Sequence, residues 1–86
     1  MKNVKEITLK GYYNRGGSLT TIWGYYFDNE NVIHDMPYSQ VCLDDFIGMV
    51  EYMDDVIENI FGVLDYDTCN STEGNEFTRT YYISEL

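Results

Sequence analysis

Basic residues are what this sequence has least of: 5 Lys and Arg stand against 15 Asp and Glu, a formal charge of −10 at pH 7. No base lies between residues 39 and 64. A field of that sign repels DNA, RNA and anionic membranes and draws in basic surfaces from a distance, so direct nucleic-acid binding is disfavoured. Cysteine is scarce as well. Cys42 and Cys69 are too few for a disulfide framework and match no zinc-ligand spacing, so they read as free thiols of a reducing compartment. Long apolar runs are missing: nothing approaches the ~18–20 residues of a membrane span. The opening Met1-Lys2-Asn3-Val4-Lys5-Glu6 has no apolar stretch of an export signal, so a cytoplasmic protein is expected. His34 is the only histidine, and nothing in the sequence sets it beside a nucleophile, so no enzyme is expected.

What is present is enough for one folded domain. The 86 residues include 44% apolar side chains, with 9 Tyr, 4 Phe and 1 Trp, well above what disordered chains carry. From Val4 to Tyr13, Ile7, Leu9 and Gly11 alternate with Glu6, Thr8, Lys10 and Tyr12, the period of a half-buried strand. Asn14-Arg15-Gly16-Gly17-Ser18 supplies a turn, and Leu19 to Phe27 is rich in β-branched and aromatic residues, which completes a hairpin. Asn29-Glu30-Asn31 is a second turn, after which Val32, Ile33 and His34 form a short third strand that Pro37 interrupts.

Between about Ser39 and Leu64 the period changes. Leu43, Phe46, Ile47, Val50, Met53, Ile57, Ile60, Phe61 and Leu64 recur at helical intervals, with Ser39 or a neighbour as cap and Asp44 and Asp45 in the first turns. Residues 65–76 show no hydrophobic period and read as an acidic loop, and Phe77 to Ile83 alternate again as a final strand. The expected fold is α+β: a three- to four-stranded, mostly antiparallel sheet in the order β-β-(β)-α-β, with one long amphipathic helix on one face. The Gly-Tyr-Tyr at 11–13 and 24–26 reads as paired strand positions rather than a repeat.

At about 100° per residue, Asp44, Glu51, Asp55 and Glu58 fall on one line of the helix, with Asp45, Asp54 and Tyr52 beside them. The line is about 21 Å long, comparable to a few successive phosphates. Like charges at this spacing cost a helix a few tenths of a kcal/mol each, so a helix without compensating bases gives up stability. Asp65, Asp67, Glu73 and Glu76 extend the acidic set. Asp65, Asp67, Ser71, Glu73 and Glu76 also occupy calcium-loop positions, but Cys69 and Asn70 stand where an oxygen ligand and a glycine belong, so no metal or other cofactor is assigned. Tyr12, Tyr25, Tyr26 and Tyr82 read as core, sheet-face or protein-contact residues, since a base-stacking platform would need a basic groove.

The segment Tyr13-Asn14-Arg15-Gly16-Gly17-Ser18-Leu19-Thr20-Thr21-Ile22-Trp23 resembles the opening of the ArdA-type antirestriction proteins, in which a strand leads through Tyr-Asn-x-Gly to Leu and Trp. It covers about an eighth of the chain, needs a one-residue insertion, and belongs to a chain much shorter than a full member. Size, acidity and one dominant helix are similar to small phage and plasmid proteins that block restriction or CRISPR enzymes by imitating DNA. The resemblance implies that Asp44, Asp45, Glu51, Asp54, Asp55 and Glu58, with Asp65, Asp67, Glu73 and Glu76, stand in for phosphates against the bases of a host nuclease. A monomer or a homodimer is expected. The alternative is a small adaptor or accessory domain, as a homodimer joined through a strand edge or Tyr-rich face, whose acidity serves solubility.

Overall fold

The computed structural model describes residues 4–14, 19–43 and 45–84. Five strands, β1 (Val4–Asn14), β2 (Leu19–Asp28), β3 (Ile33–Cys42), β4 (Tyr66–Glu73) and β5 (Glu76–Ile83), form one antiparallel sheet in the order β3-β2-β1-β5-β4. A single helix, α1 (Phe46–Ile60), lies on one face. The α+β class holds, with one strand more than expected. No helix among the described residues is long and apolar enough to cross a membrane.

Alternation decides the two faces of the sheet. Ile7 and Leu9 of β1, Ile22 of β2, and Phe77 and Tyr81 of β5 meet Met49, Met53 and Ile57 of α1 in the core. The core stripe of the helix is therefore Met49, Met53 and Ile57. Of the apolar residues expected there, Ile47, Ile60 and Leu64 are exposed. Gly11 and Gly24 share the helix-facing side, two rungs apart on the β1–β2 ladder, Gly11 opposite Ile22 and Gly24 opposite Leu9. The repeated Gly-Tyr-Tyr thus does not mark paired positions: at Gly24 the backbone of β1 comes too close for a side chain, and at Gly11 the side chains of Met49 and Met53 pack over the strand.

Pro37 does not end β3. The ladder matches Ile22 to Ser39 and Gly24 to Met36, so β3 carries one extra residue around Pro37 and Tyr38. A bulge lets an edge strand absorb a residue that has no N–H to donate, and the strand continues to Cys42. Ser39 consequently belongs to β3 and not to the helix cap. Asp45 is the cap: its side chain accepts from the Gly48 N–H at 2.9 Å. The helix stops at Ile60 rather than near Leu64 because Gly62, at φ +68°, takes the left-handed conformation that closes a helix.

The expected acidic loop at 65–76 is a hairpin. Strand β4 turns through Gly74 and Asn75 into β5, with Gly74 at φ +62° in the first turn position, where glycine is the residue that fits. Asp67 and Glu73 are spread along an extended strand by about 20 Å, so the calcium-loop positions cannot converge on one ion. At the β2–β3 turn, Asn31 adopts φ +64°, and the Asp28 carboxylate accepts from the N–H groups of Glu30 and Val32 at 2.8 and 3.0 Å. Here the turn expected at 29–31 is present.

Candidate functional site

The ten acidic residues singled out in the sequence do not form one surface. Asp44 lies outside the described residues. Asp45 is exposed but holds the helix cap. Glu51 and Asp55 are exposed on the helix side away from the core, and Glu58 is half-buried beside them. The line expected to run about 21 Å therefore shortens, within α1, to about 10 Å from Glu51 to Glu58.

Asp54 has a different role. Its Oδ1 accepts from the Tyr81 hydroxyl at 2.6 Å and from Arg79 Nε at 3.1 Å, while Arg79 also donates from Nη1 to Asn70 Oδ1 at 3.0 Å. This network ties α1 to β5 and β4. The helix has no base of its own, and β5 supplies one. Glu58 accepts from the Tyr66 hydroxyl at 3.4 Å, and the Tyr66 ring meets the Tyr81 ring edge-on. Burial, followed by the hydrogen bond to Asp54, pushes the Tyr81 phenol far above its ordinary value, so it cannot act as a phenolate base near neutral pH. Asp54 and Arg79 thus hold the helix to the sheet.

Asp67, Glu73 and Glu76 lie on the opposite side of the molecule from the helix. Glu76 is registered with Tyr12 and Asp67 with Tyr82, both on the sheet face that α1 leaves uncovered. Asp65 is exposed just ahead of β4. Two acidic regions result, one on the helix and one on the open sheet face. Among the described residues the bases are Lys5, Lys10 and Arg79, and Arg79 is already engaged.

Among the described residues the open face carries Tyr12, Trp23, Tyr25, Phe27 and Tyr82. Tyr12 and Tyr82 are 47% and 46% exposed, and Trp23, Tyr25 and Phe27 follow along β2, with Tyr25 and Phe27 in edge contact at 6.1 Å. The Thr8 and Thr80 hydroxyls meet across β1 and β5 at 3.4 Å in the middle of this face. Of the four tyrosines read as core or face residues, Tyr26 is the one on the helix side: it stacks on His34 at 4.8 Å and meets Phe61 edge-on.

His34 Nε2 lies 3.0 Å from Asp28 Oδ2. That hydrogen bond, reinforced by the Val32 N–H, holds the Asp28 carboxyl below its ordinary value. The pair serves the β2–β3 turn, and the thiols of Cys42 and Cys69 are exposed on the two edge strands. Between α1 and β3 runs an apolar groove of about 490 Å³, lined by Ile22, Tyr26, Met36, Tyr52, Val56 and Ile60. Among the described residues no group of three or more His, Cys, Asp or Glu is arranged to hold a metal ion.

The chain matches no protein-family model, no curated protein and no solved structure.

Proposed function

We propose that this protein is a non-enzymatic acidic inhibitor that occupies the basic, nucleic-acid-binding surface of another protein. The observation that carries the reading is the distribution of charge: Glu51 and Asp55 stand exposed on the helix side and Asp67 and Glu73 on the sheet side, with no base on α1 and Arg79 tied to Asp54. Such a surface is complementary to one built for phosphates, and complementarity of this kind sets association rate and salt dependence. The ArdA-like hairpin and the overall acidity favour a host defence nuclease or CRISPR effector as the target, met in the cytoplasm of the host cell. Residues 15–18 of that hairpin lie outside the described residues.

A second reading, a small adaptor domain, draws on the uncovered aromatic face, because tyrosine and tryptophan are enriched at protein interfaces. Capture from a cell lysate separates the two. Immobilised wild type is expected to retain a nucleic-acid enzyme whose affinity falls about tenfold or more between about 50 and about 200 mM salt. A variant combining Glu51→Gln, Asp55→Asn, Asp67→Asn and Glu73→Gln is expected to lose it. Retention by both proteins at all salt concentrations would favour the adaptor.

A further inference from the structure

The acidic residues of the uncovered sheet face are interleaved with its aromatic rings, and this pattern deepens the proposal above. Glu6 of β1 is registered with Phe27 on one side and Tyr82 on the other. Glu76 is registered with Tyr12, Asp35 with Tyr25, and Asp67 with Tyr82. Directly opposite residues in an antiparallel pair hold their Cβ atoms about 5 Å apart, so each carboxylate stands next to a ring. Lys10 stands opposite Trp23, and Lys5, beside Glu6 at the bulge of β1, donates to Asn31 Oδ1.

A carboxylate beside an aromatic ring suits one side chain above others. The guanidinium of arginine is planar, pairs bidentately with a carboxylate, and stacks on a ring at low desolvation cost. A lysine ammonium satisfies the charge but not the stacking or the fork. A second copy of the chain is a poor occupant, because pairing two molecules of charge −10 brings like fields together. We infer that the helix-free sheet face is an arginine-reading surface, in which Tyr12, Tyr25, Phe27 and Tyr82 stack the guanidinium groups of a protein partner and Glu6, Asp35, Asp67 and Glu76 pair with them. This rests on the acidic-inhibitor reading and adds to it which face leads and which cation it selects. Glu51 and Asp55 of the helix, which face no ring across a strand ladder, attract positive charge of either kind.

Labelled deca-arginine and deca-lysine peptides, equal in charge, test this by fluorescence anisotropy over a salt series. Wild type is expected to bind deca-arginine about tenfold more tightly than deca-lysine, two or more stacked guanidinium groups supplying the difference. The double variant Tyr12→Leu with Tyr82→Leu keeps apolar area and charge but has no ring, and is expected to bind both peptides alike. Tyr12→Phe with Tyr82→Phe keeps the rings and is expected to keep the preference, which separates stacking from misfolding. Glu51→Gln with Asp55→Asn is expected to weaken both peptides equally. Equal, salt-sensitive binding of the two peptides to wild type would overturn the arginine-reading face and leave the charge-based reading standing. A preference that survives in the leucine variant would overturn it as well. Binding of neither peptide, or binding indifferent to salt, would overturn the charge-based reading itself.

Discussion

Gly24→Ala is expected to cost at least about 3 kcal/mol and to leave a large share of the protein unfolded, because overpacking that backbone cannot relieve exceeds the usual penalty of about 1–3 kcal/mol. A Cβ at Gly24 would stand 2.2 Å from the Thr8 carbonyl oxygen and 3.2 Å from Leu9 Cα. Both belong to β1, which is held by ladders on both sides, so relief requires prising β1 from β2 at the centre of the sheet. Gly11→Ala offers the contrast. Its Cβ would meet Met49 Sδ at 2.7 Å and Met53 Cε at 3.2 Å, the far ends of flexible thioether side chains. A cost of about 1 kcal/mol is expected there, lessened by the backbone entropy that glycine loses on folding. Urea unfolding followed by the fluorescence of Trp23 measures both. Equal midpoints for the two variants would contradict the packing of β1 against β2 described here.

Asp54→Ala is expected to destabilise the fold by about 2–4 kcal/mol, whereas Glu51→Ala and Asp55→Ala, on the same helix, change stability by no more than about 0.5 kcal/mol. The difference follows from what each carboxylate touches. Removing Asp54 leaves the O–H of Tyr81, a residue with no solvent exposure, without its acceptor, and leaves the Arg79 side chain, 12% exposed, without its anionic partner. The figure lies below that for a fully buried ion pair because the Asp54 side chain keeps 28% exposure and solvent screens it. Tyr81→Phe removes two hydrogen bonds to charged groups, the one its hydroxyl donates to Asp54 and the one it accepts from Arg79 Nε, and is expected to cost about 1.5–3 kcal/mol. In the double variant the two losses are less than additive, since both act on one network. Thermal unfolding of the four single variants checks the series, and an Asp54→Ala protein as stable as Glu51→Ala would mean that the network does not hold the helix to the sheet.

These two results concern positions that the sequence marked for other reasons. The alternation of Val4–Tyr13 and Phe77–Ile83 and the helical period after residue 46 were legible because each element buries one face. Strand β4 was not, since an edge strand whose residues are nearly all exposed leaves no apolar period to read. Pro37 reads locally as the end of β3, because the bulge that carries the strand past it depends on the register of the partner strand and not on local sequence. The helix start moved from Ser39 to Asp45 for the same reason: Ser39 is taken up by the sheet.

The acidic set was legible as residues and illegible as a surface. Helical spacing correctly put Glu51, Asp55 and Glu58 together, but it could not show that Asp54 faces β5 or that Asp67, Glu73 and Glu76 lie across the sheet from them. A signal for Arg79 was present. It alternates with Phe77 and Tyr81 on the apolar side of β5, and a charge placed there demands an anion from the element packed above it. The coupling of carboxylates to rings on the open face depends on the pairing of β1 with both β2 and β5, which no single strand reveals.

The central claim is that this protein takes the place of nucleic acid on a basic surface, and competition tests it most directly. A partner protein held on the immobilised chain is challenged with duplex or single-stranded DNA, or with RNA, at constant ionic strength, and the released fraction is measured. Mimicry predicts release that rises with nucleic-acid concentration and saturates, because both ligands need the same lysines and arginines of the partner. Retention of the partner with nucleic acid bound alongside it would show that the two occupy different surfaces, and would contradict the account.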